Sequence, residues 1–327
     1  MNITKLSGIS ATRTQRVPIH LWIYNHPFVG ISDQVEFFLS IMLQHGYVVS
    51  VGRKPLSNGL NIVIENFSDP TARTLINFCQ ASSKRVAVIM TEHLDFVDHE
   101  IYIHGTPMQN ENDYMHPATQ AARIKCLMDC ACYIRGFLVL GDLPELVNFG
   151  DMMPGLAIRT LPFPDLDPPA GPASWSALQA DLVFTGKVTG YRAELLHQLQ
   201  SMLTVQYPSE FLSRKLRDRF SQNGRLVLNL PQRPGWRWLS LMRIIAALRC
   251  GRATVSLGTN DTSQISACCL QLDITQPGWD LRLRDMALQP GELFRKMLVQ
   301  YHSMAEAFRA AHPFPDDFFE YWAITEL

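Results

Sequence analysis

Apolar residues fall along this chain in two kinds of run. Short, nearly unbroken runs such as IHLWIY (19–24), LNIVI (60–64), RVAVIM (85–90), FLVL (137–140), RLVLNL (225–230) and ATVSL (253–257) predict strands buried on both faces. Weaker runs at 47–51, 156–161, 182–184 and 271–274 predict further strands, and a short segment stands at 203–207. Between them, apolar residues recur three and four apart, which predicts amphipathic helices over 31–45, 70–81, 114–135, 209–220, 238–250 and 292–311. Shorter helices are expected near 144–149, from the turn at 190 onward, and over 316–327. Strand and helix alternate throughout, the pattern of a mostly parallel sheet with helices on both faces.

The alternation breaks at LPFPDLDPPAGP (161–172), where five prolines and two aspartates stand without periodicity. Such a stretch reads as a linker. The expected organisation is α/β, with two Rossmann-like domains facing a cleft. The parts are 1–160, a linker at 161–180, a second domain at 181–311 and a closing helix at 312–327. In open α/β sheets ligands sit at the carboxyl ends of strands. Those ends are Asn25/His26, Glu92/His93, Gly186/Lys187, Asn229 and Gly258.

One of these ends carries a specific signal. DLVFTGKVTGYRAELLHQL (181–199) reads as a strand, a small-residue turn and an amphipathic helix. Free N–H groups at such a helix start suit a phosphate, with Lys187 and Arg192 adding positive charge. The turn is neither a Walker loop nor a dinucleotide fingerprint, so the plain alternative is a turn that holds only the chain.

Composition narrows the picture. The 327 residues are 47% hydrophobic and 18% charged with a formal net charge of −1, so no overall field favours nucleic acid or an anionic membrane. No apolar run approaches the roughly 18–20 residues of a membrane span. The polar N-terminus lacks a secretory apolar region, and seven cysteines, an odd number, suggest a reducing compartment; a cytoplasmic protein is the expectation. Cys126 and Cys130 share a helix face and Cys132 does not; with no completing His or Cys pair, buried free thiols are expected and a metal site is not. Residues 214–252 are rich in arginine. Either they meet a phosphate-rich donor or an acidic lipid headgroup, or the 209–220 helix simply shows a solvated charged face. Trp236 and Trp238 either stack a base or sugar or pack in the core, and the aromatic 314–322 segment suits a docked terminal helix.

Three segments, DLVFTGKVTGYRAELLHQL, RLVLNL (225–230) and LMRIIAALRCGRATVSLG (241–258), resemble the C-terminal half of GT-B glycosyltransferases, especially bacterial family 1/4-like members. NIVIENF (61–67) and VAVIMTEHLD (86–95) resemble their N-terminal domain, so the likeness covers most of 19–310. It implies transfer of a sugar from a nucleotide-sugar, held mainly by the C-terminal domain, to a polysaccharide, lipid-linked or protein acceptor, held mainly by the N-terminal one. It also implies no obligatory metal or other cofactor, no transmembrane segment, a peripheral role at membranes as one option, and a last helix that crosses back to the N-terminal domain. Carried over by position, Gly186 and Lys187 line the diphosphate with Arg192 nearby. Asn229 and Arg243 face the donor, and Gly258 and Asn260 stand at the next strand end. An inverting transfer needs a general base, for which His26, Glu92 and His93 are the candidates. For His26 the plain alternative is a turn cap before Pro27, and for Glu92 a solvated loop acid. Two acids of the pattern are missing: Ser240 stands three before Arg243, and Leu257 follows Val255-Ser256. Either Asn260 or Asp261 holds the donor ribose instead, or the protein is a catalytically silent GT-B-like binder of a partner or glycan.

Overall fold

The computed structural model describes residues 17–24, 26–91, 94–98, 100–103, 106–107, 117–143, 153–169, 171–172 and 174–326. In the first half lie β1 (Ile19–Trp22), α1 (Phe28–Gln44), β2 (Val49–Gly52), β3 (Leu60–Ile64), α2 (Asp69–Ser82) and β4 (Val86–Met90). Then come β5 (Leu94–Val97), β6 (Glu100–Ile103), β7 (Thr106–Pro107), α3 (Pro117–Asp129), β8 (Ile134–Leu140) and β9 (Ala157–Leu161). Six of these strands form one sheet in the order β2-β1-β3-β4-β8-β9, parallel at every described pairing. β3 and β4 are buried along their whole length, as their unbroken apolar runs require. β5, β6 and β7 make a small antiparallel sheet that periodicity did not reveal, because its strands are short and carry polar residues.

The second half begins at β10 (Ala180–Val183) and continues with α4 (Gly190–Gln200), β11 (Val205–Gln206), α5 (Arg214–Gln222), β12 (Gly224–Asn229), α6 (Leu241–Arg249), β13 (Ala253–Leu257) and β14 (Leu270–Leu272). These strands form a second parallel sheet, β11-β10-β12-β13-β14. Three helices close the chain: α7 (Trp279–Leu288), α8 (Pro290–Ala311) and α9 (Asp316–Glu326). Two Rossmann-like sheets are therefore present, as the strand–helix alternation predicts. Both begin with the same order: the second strand outside the first, then the third on the other side.

That order matters because it creates a switch point. Chain leaving β1 and chain leaving β3 turn away from each other, as do β10 and β12, and the crevice between them is where open α/β sheets take ligands. The carboxyl ends of the two sheets meet. Gly141, just past β8, lies against Leu241 of α6, and Asp142 Oδ2 accepts from the Gln264 N–H at 2.8 Å. The 231–240 segment after β12 also crosses over. Trp236 and Trp238 are buried in a cluster with Trp22, Phe67, Met90, Val139 and Met153 of the first half, so both pack in the core.

The last helix also returns to the first sheet, as the resemblance implies. Asp316 accepts from Tyr47 Oη at 2.8 Å, and Glu326 takes the Arg85 main-chain N–H at 2.8 Å and its Nε at 2.7 Å. Between these ends Phe318, Phe319 and Trp322 are buried, while Tyr321 stays exposed. A Cβ on Gly136 of β8 would come within 2.9 Å of the Phe318 ring, so glycine is what lets the helix sit this close. Each fully buried aromatic contributes about 1.5–3 kcal/mol of transfer free energy, which makes this short helix a firm attachment.

Cys126 and Cys130 are buried and Cys132 is exposed. Burial pushes the Cys130 thiol up to about 12, so it stays protonated and behaves as a small apolar group. No helix among the described residues is long and apolar enough to cross a membrane.

Candidate functional site

The switch point of the second sheet collects the polar residues of otherwise apolar strands. β10 ends in Phe184 and runs through Gly186 and Lys187 into α4; β12 ends in Asn229; α6 brings Arg243 between them. The Arg243 Nη1 donates to Asn229 Oδ1 at 2.7 Å, and its guanidinium lies 5.2 Å from the centre of the Phe184 ring. A Cβ on Gly186 would meet Arg243 Nη2 at 2.6 Å and Phe184 Cζ at 2.6 Å, so only glycine leaves room for the guanidinium against the turn. Asn229 is fixed in turn: its Nδ2 donates to Ser256 Oγ at 2.8 Å, and Thr259 Oγ1 lies 2.7 Å from the same hydroxyl. A chain of hydrogen bonds thus sets one guanidinium across the mouth of the crevice.

What Arg243 lacks is a carboxylate within ion-pair distance, and Asn229 is its single hydrogen-bond partner, among the described residues. Burial, ahead of every other influence, lowers its guanidinium to about 10; Asp33 of α1 works against that shift and Arg217 adds to it. At neutral pH it remains a cation with most of its donors unspent. Such a group in a half-buried crevice has the chemistry to take an anion.

Arg192 is different. Its Nε and Nη2 donate to the Leu230 carbonyl at 3.0 and 2.7 Å, Nε also to Pro231 O at 3.2 Å, and Nη1 to Lys187 O at 2.8 Å. Burial, and then Arg243, lower its guanidinium to about 9. The helix start turns this side chain inward, where three of its five N–H donors tie the 184–190 turn to the end of β12. Lys187 is exposed on the turn, and Gly190 opens α4 beside it.

The third strand end has a clear division of labour. Gly258 sits at φ +72°, where its N–H donates to Leu272 O at 2.9 Å. The Asn260 side chain is exposed and its N–H donates to Arg237 O at 3.1 Å. Asp261 is buried and accepts from the main-chain N–H groups of Leu239 and Ser263, both at 2.7 Å. It clamps the 231–240 strap and offers no oxygen to a ribose. Ser240 is the N-cap position of α6, and Leu257 is fully buried.

The arginine-rich stretch is mostly spent, which corrects the expectation of a solvated face on the 209–220 helix. Arg217 Nη2 lies 2.5 Å from Asp33 Oδ1, Arg214 pairs with Glu36, and Arg249 pairs with Asp218 at 3.3 Å. Arg225 holds Asp181 at 2.9 Å, and Arg252 donates to the carbonyls of Gly224, Gln222 and Gly251 while facing the Trp175 ring. Lys215 and Arg219 are exposed.

The switch point of the first sheet holds His26 and Glu65. The His26 Nε2 donates to the Glu65 main-chain oxygen at 3.2 Å, and Arg53 donates to the His26 carbonyl at 3.2 Å. The Glu65 carboxylate is buried; Arg123 of α3 meets it at 2.5 Å and Thr91 Oγ1 at 3.3 Å. Glu65 was not among the residues expected from the sequence, although an acid that directly follows a fully buried strand was the available signal. Glu92 and His93 lie outside the described residues.

No family profile and no curated protein matches this sequence. Among solved structures, an alpha1,3-fucosyltransferase is similar over 90% of this chain and 84% of its own length, with 10% identity and a TM-score of 0.41. An alpha1,3-fucosyltransferase with GDP is similar over the same shares, with 9% identity and a TM-score of 0.39. Neither singles out the family 1/4-like proteins that the motifs resemble. The chemistry of the crevice is therefore carried by this chain's own side chains.

Proposed function

We propose that this protein is a GT-B-type glycosyltransferase that takes a nucleotide-sugar on its second domain, 181–311, and an acceptor hydroxyl on its first, 1–160. The observation that carries this is Arg243: a half-buried cation without a carboxylate partner among the described residues, held by Asn229 across the switch-point crevice of the second sheet. In the transfer, the bond from the sugar to the diphosphate breaks as the acceptor oxygen bonds to the sugar, and negative charge develops on the leaving diphosphate. Arg243, Lys187 and the N–H groups at the start of α4 meet that charge, with no metal required. Gly258 and Asn260 border the same crevice. His26 receives the acceptor proton, with Glu92 and His93 as further candidate bases. The acceptor is a polysaccharide, a lipid-linked chain or a protein, and the setting is cytoplasmic glycan biosynthesis.

Titration calorimetry with a panel of nucleoside diphosphates tests the assignment. One of them is expected to bind the native protein, and Arg243→Ala to weaken it at least about tenfold, the loss typical of a charge-assisted contact. Equal affinity in the variant overturns the donor site. A silent GT-B-like binder is the second reading, favoured by Ser240 and Leu257 where carboxylates stand in the motif. Nucleotide binding without donor hydrolysis or transfer supports it.

A further inference from the structure

Three acids and three arginines meet where α1 of the first half packs on α5 and α6 of the second. Asp33 Oδ1 lies 2.5 Å from Arg217 Nη2 and 3.7 Å from Arg249 Nη2; Arg217 also reaches Ser32 Oγ at 3.5 Å; Glu36, one turn along α1, pairs with Arg214. Asp218 of α5 shares Arg249 at 3.3 Å. With Arg243, the seam holds four guanidinium groups against three carboxylates. The surplus charge is carried by Arg243, which alone of the four has no acid within ion-pair distance among the described residues.

We propose that Asp33 is a positioning and specificity-determining residue. It neutralises Arg217 and Arg249 from across the seam, so that an incoming diphosphate meets one available guanidinium, Arg243, and is drawn to the Gly186 crevice instead of spreading over an arginine cluster. This rests on the donor-site reading above. The geometry gives Asp33 no path to the ligand itself: both of its arginine contacts lie on the helices that carry the cluster, and its carboxylate is largely buried. Burial raises its carboxyl above the ordinary range even though Arg217 and Arg249 act to lower it. Asp33 in turn, after Asp218, helps hold Arg249 above its usual value against burial.

An electrostatic role and a merely structural one differ in sign. Neutralising Asp33 frees Arg217, leaves Arg249 to Asp218 alone and strengthens anion binding, whereas loosening the seam weakens it. Salt screens such an interaction over about 10 Å at 0.1 M, so an electrostatic gain fades as salt is added. The probe is inorganic pyrophosphate, the group common to nucleotide-sugars of this kind. Asp33→Asn is expected to bind it about tenfold tighter at low ionic strength, the gap closing near 0.5 M salt. Arg217→Gln, which leaves Asp33 less neutralised, is expected to bind it more weakly, and the double variant to return close to the native affinity. Unchanged or weaker binding in a folded Asp33→Asn overturns the proposal, as does a change of the same sign in both single variants. Should Asp33→Asn fail to fold, Arg217→Gln and Arg249→Gln carry the test: each must weaken binding at low salt, and native affinity in either overturns it. Arg243→Ala separates the two claims, since native pyrophosphate affinity there removes the donor site, while lost affinity there with an unaltered Asp33→Asn removes only the role of Asp33.

Discussion

Replacing Arg192 by leucine separates a strut from a ligand-binding residue. In the native protein its guanidinium serves three carbonyl oxygens, those of Lys187, Leu230 and Pro231, through contacts of 2.7–3.2 Å. Leucine keeps the apolar stem and removes every donor. Each buried acceptor left without a partner costs about 1–3 kcal/mol, and relief of the buried charge returns part of that, for a net loss of about 3 kcal/mol. If the second half melts as a unit of about 150 residues, at about 2–4 °C per kcal/mol, its melting temperature falls by roughly 6–12 °C. Scanning calorimetry reads that fall, and pyrophosphate titration below the transition reads affinity. A small loss of affinity with a large loss of stability is expected. The opposite pair, native melting with pyrophosphate binding abolished, refutes the strut and returns Arg192 to the diphosphate.

Gly186→Ala perturbs the same site from the other side. Its Cβ would stand 2.6 Å from both Arg243 Nη2 and Phe184 Cζ, so the guanidinium and a buried ring must both shift; pyrophosphate affinity is expected to drop severalfold and the melting temperature to fall, and unchanged affinity would show that Arg243 does not need that seat. Tyr301 gives a pH effect. It is buried, donates to Pro164 O at 2.6 Å, and burial above all raises its phenol. The folded protein keeps a proton that the unfolded chain releases above about pH 10, so stability falls as pH rises past that value and is untouched below it. Tyr301→Phe should flatten the alkaline limb of a pH series of denaturant midpoints while lowering its neutral plateau by about 1 kcal/mol.

The sheets were legible in the sequence because a strand buried on both faces is mostly apolar, and the 60–64 and 253–257 runs coincide with β3 and β13, with Asn61, Thr254 and Ser256 as their buried polar exceptions. The helices were legible wherever a core face had to be covered; the long helix expected over 114–135 ends instead at Asp129, in a short 3-10 turn at Ala131–Tyr133. α7 was missed, since WDLRLRDMAL mixes charge into its apolar spacing. The helix expected near 144–149 lies outside the described residues. In the site, strand ends could be named because topology decides them, and Asn229, Gly186 and Arg243 do stand together. The inward turn of Arg192 could not, since periodicity says which face a residue occupies but not which carbonyls a long side chain reaches. Nor could the pairing of Asp33 with Arg217, because nothing local links residues 184 positions apart.

The borrowed core of the first half has a consequence for biosynthesis. Its apolar cluster is finished by Trp236 and Trp238, and its sheet is covered by Phe318, Phe319 and Trp322. During synthesis the early strands therefore emerge with part of their hydrophobic surface uncovered until residues 316–326 have been made. At about 5–20 residues per second, the wait between the end of β9 and the arrival of α9 is about 10–30 s. A chain stopped before residue 316 is expected to leave that surface open, which stronger binding of an apolar dye than to the intact protein would read.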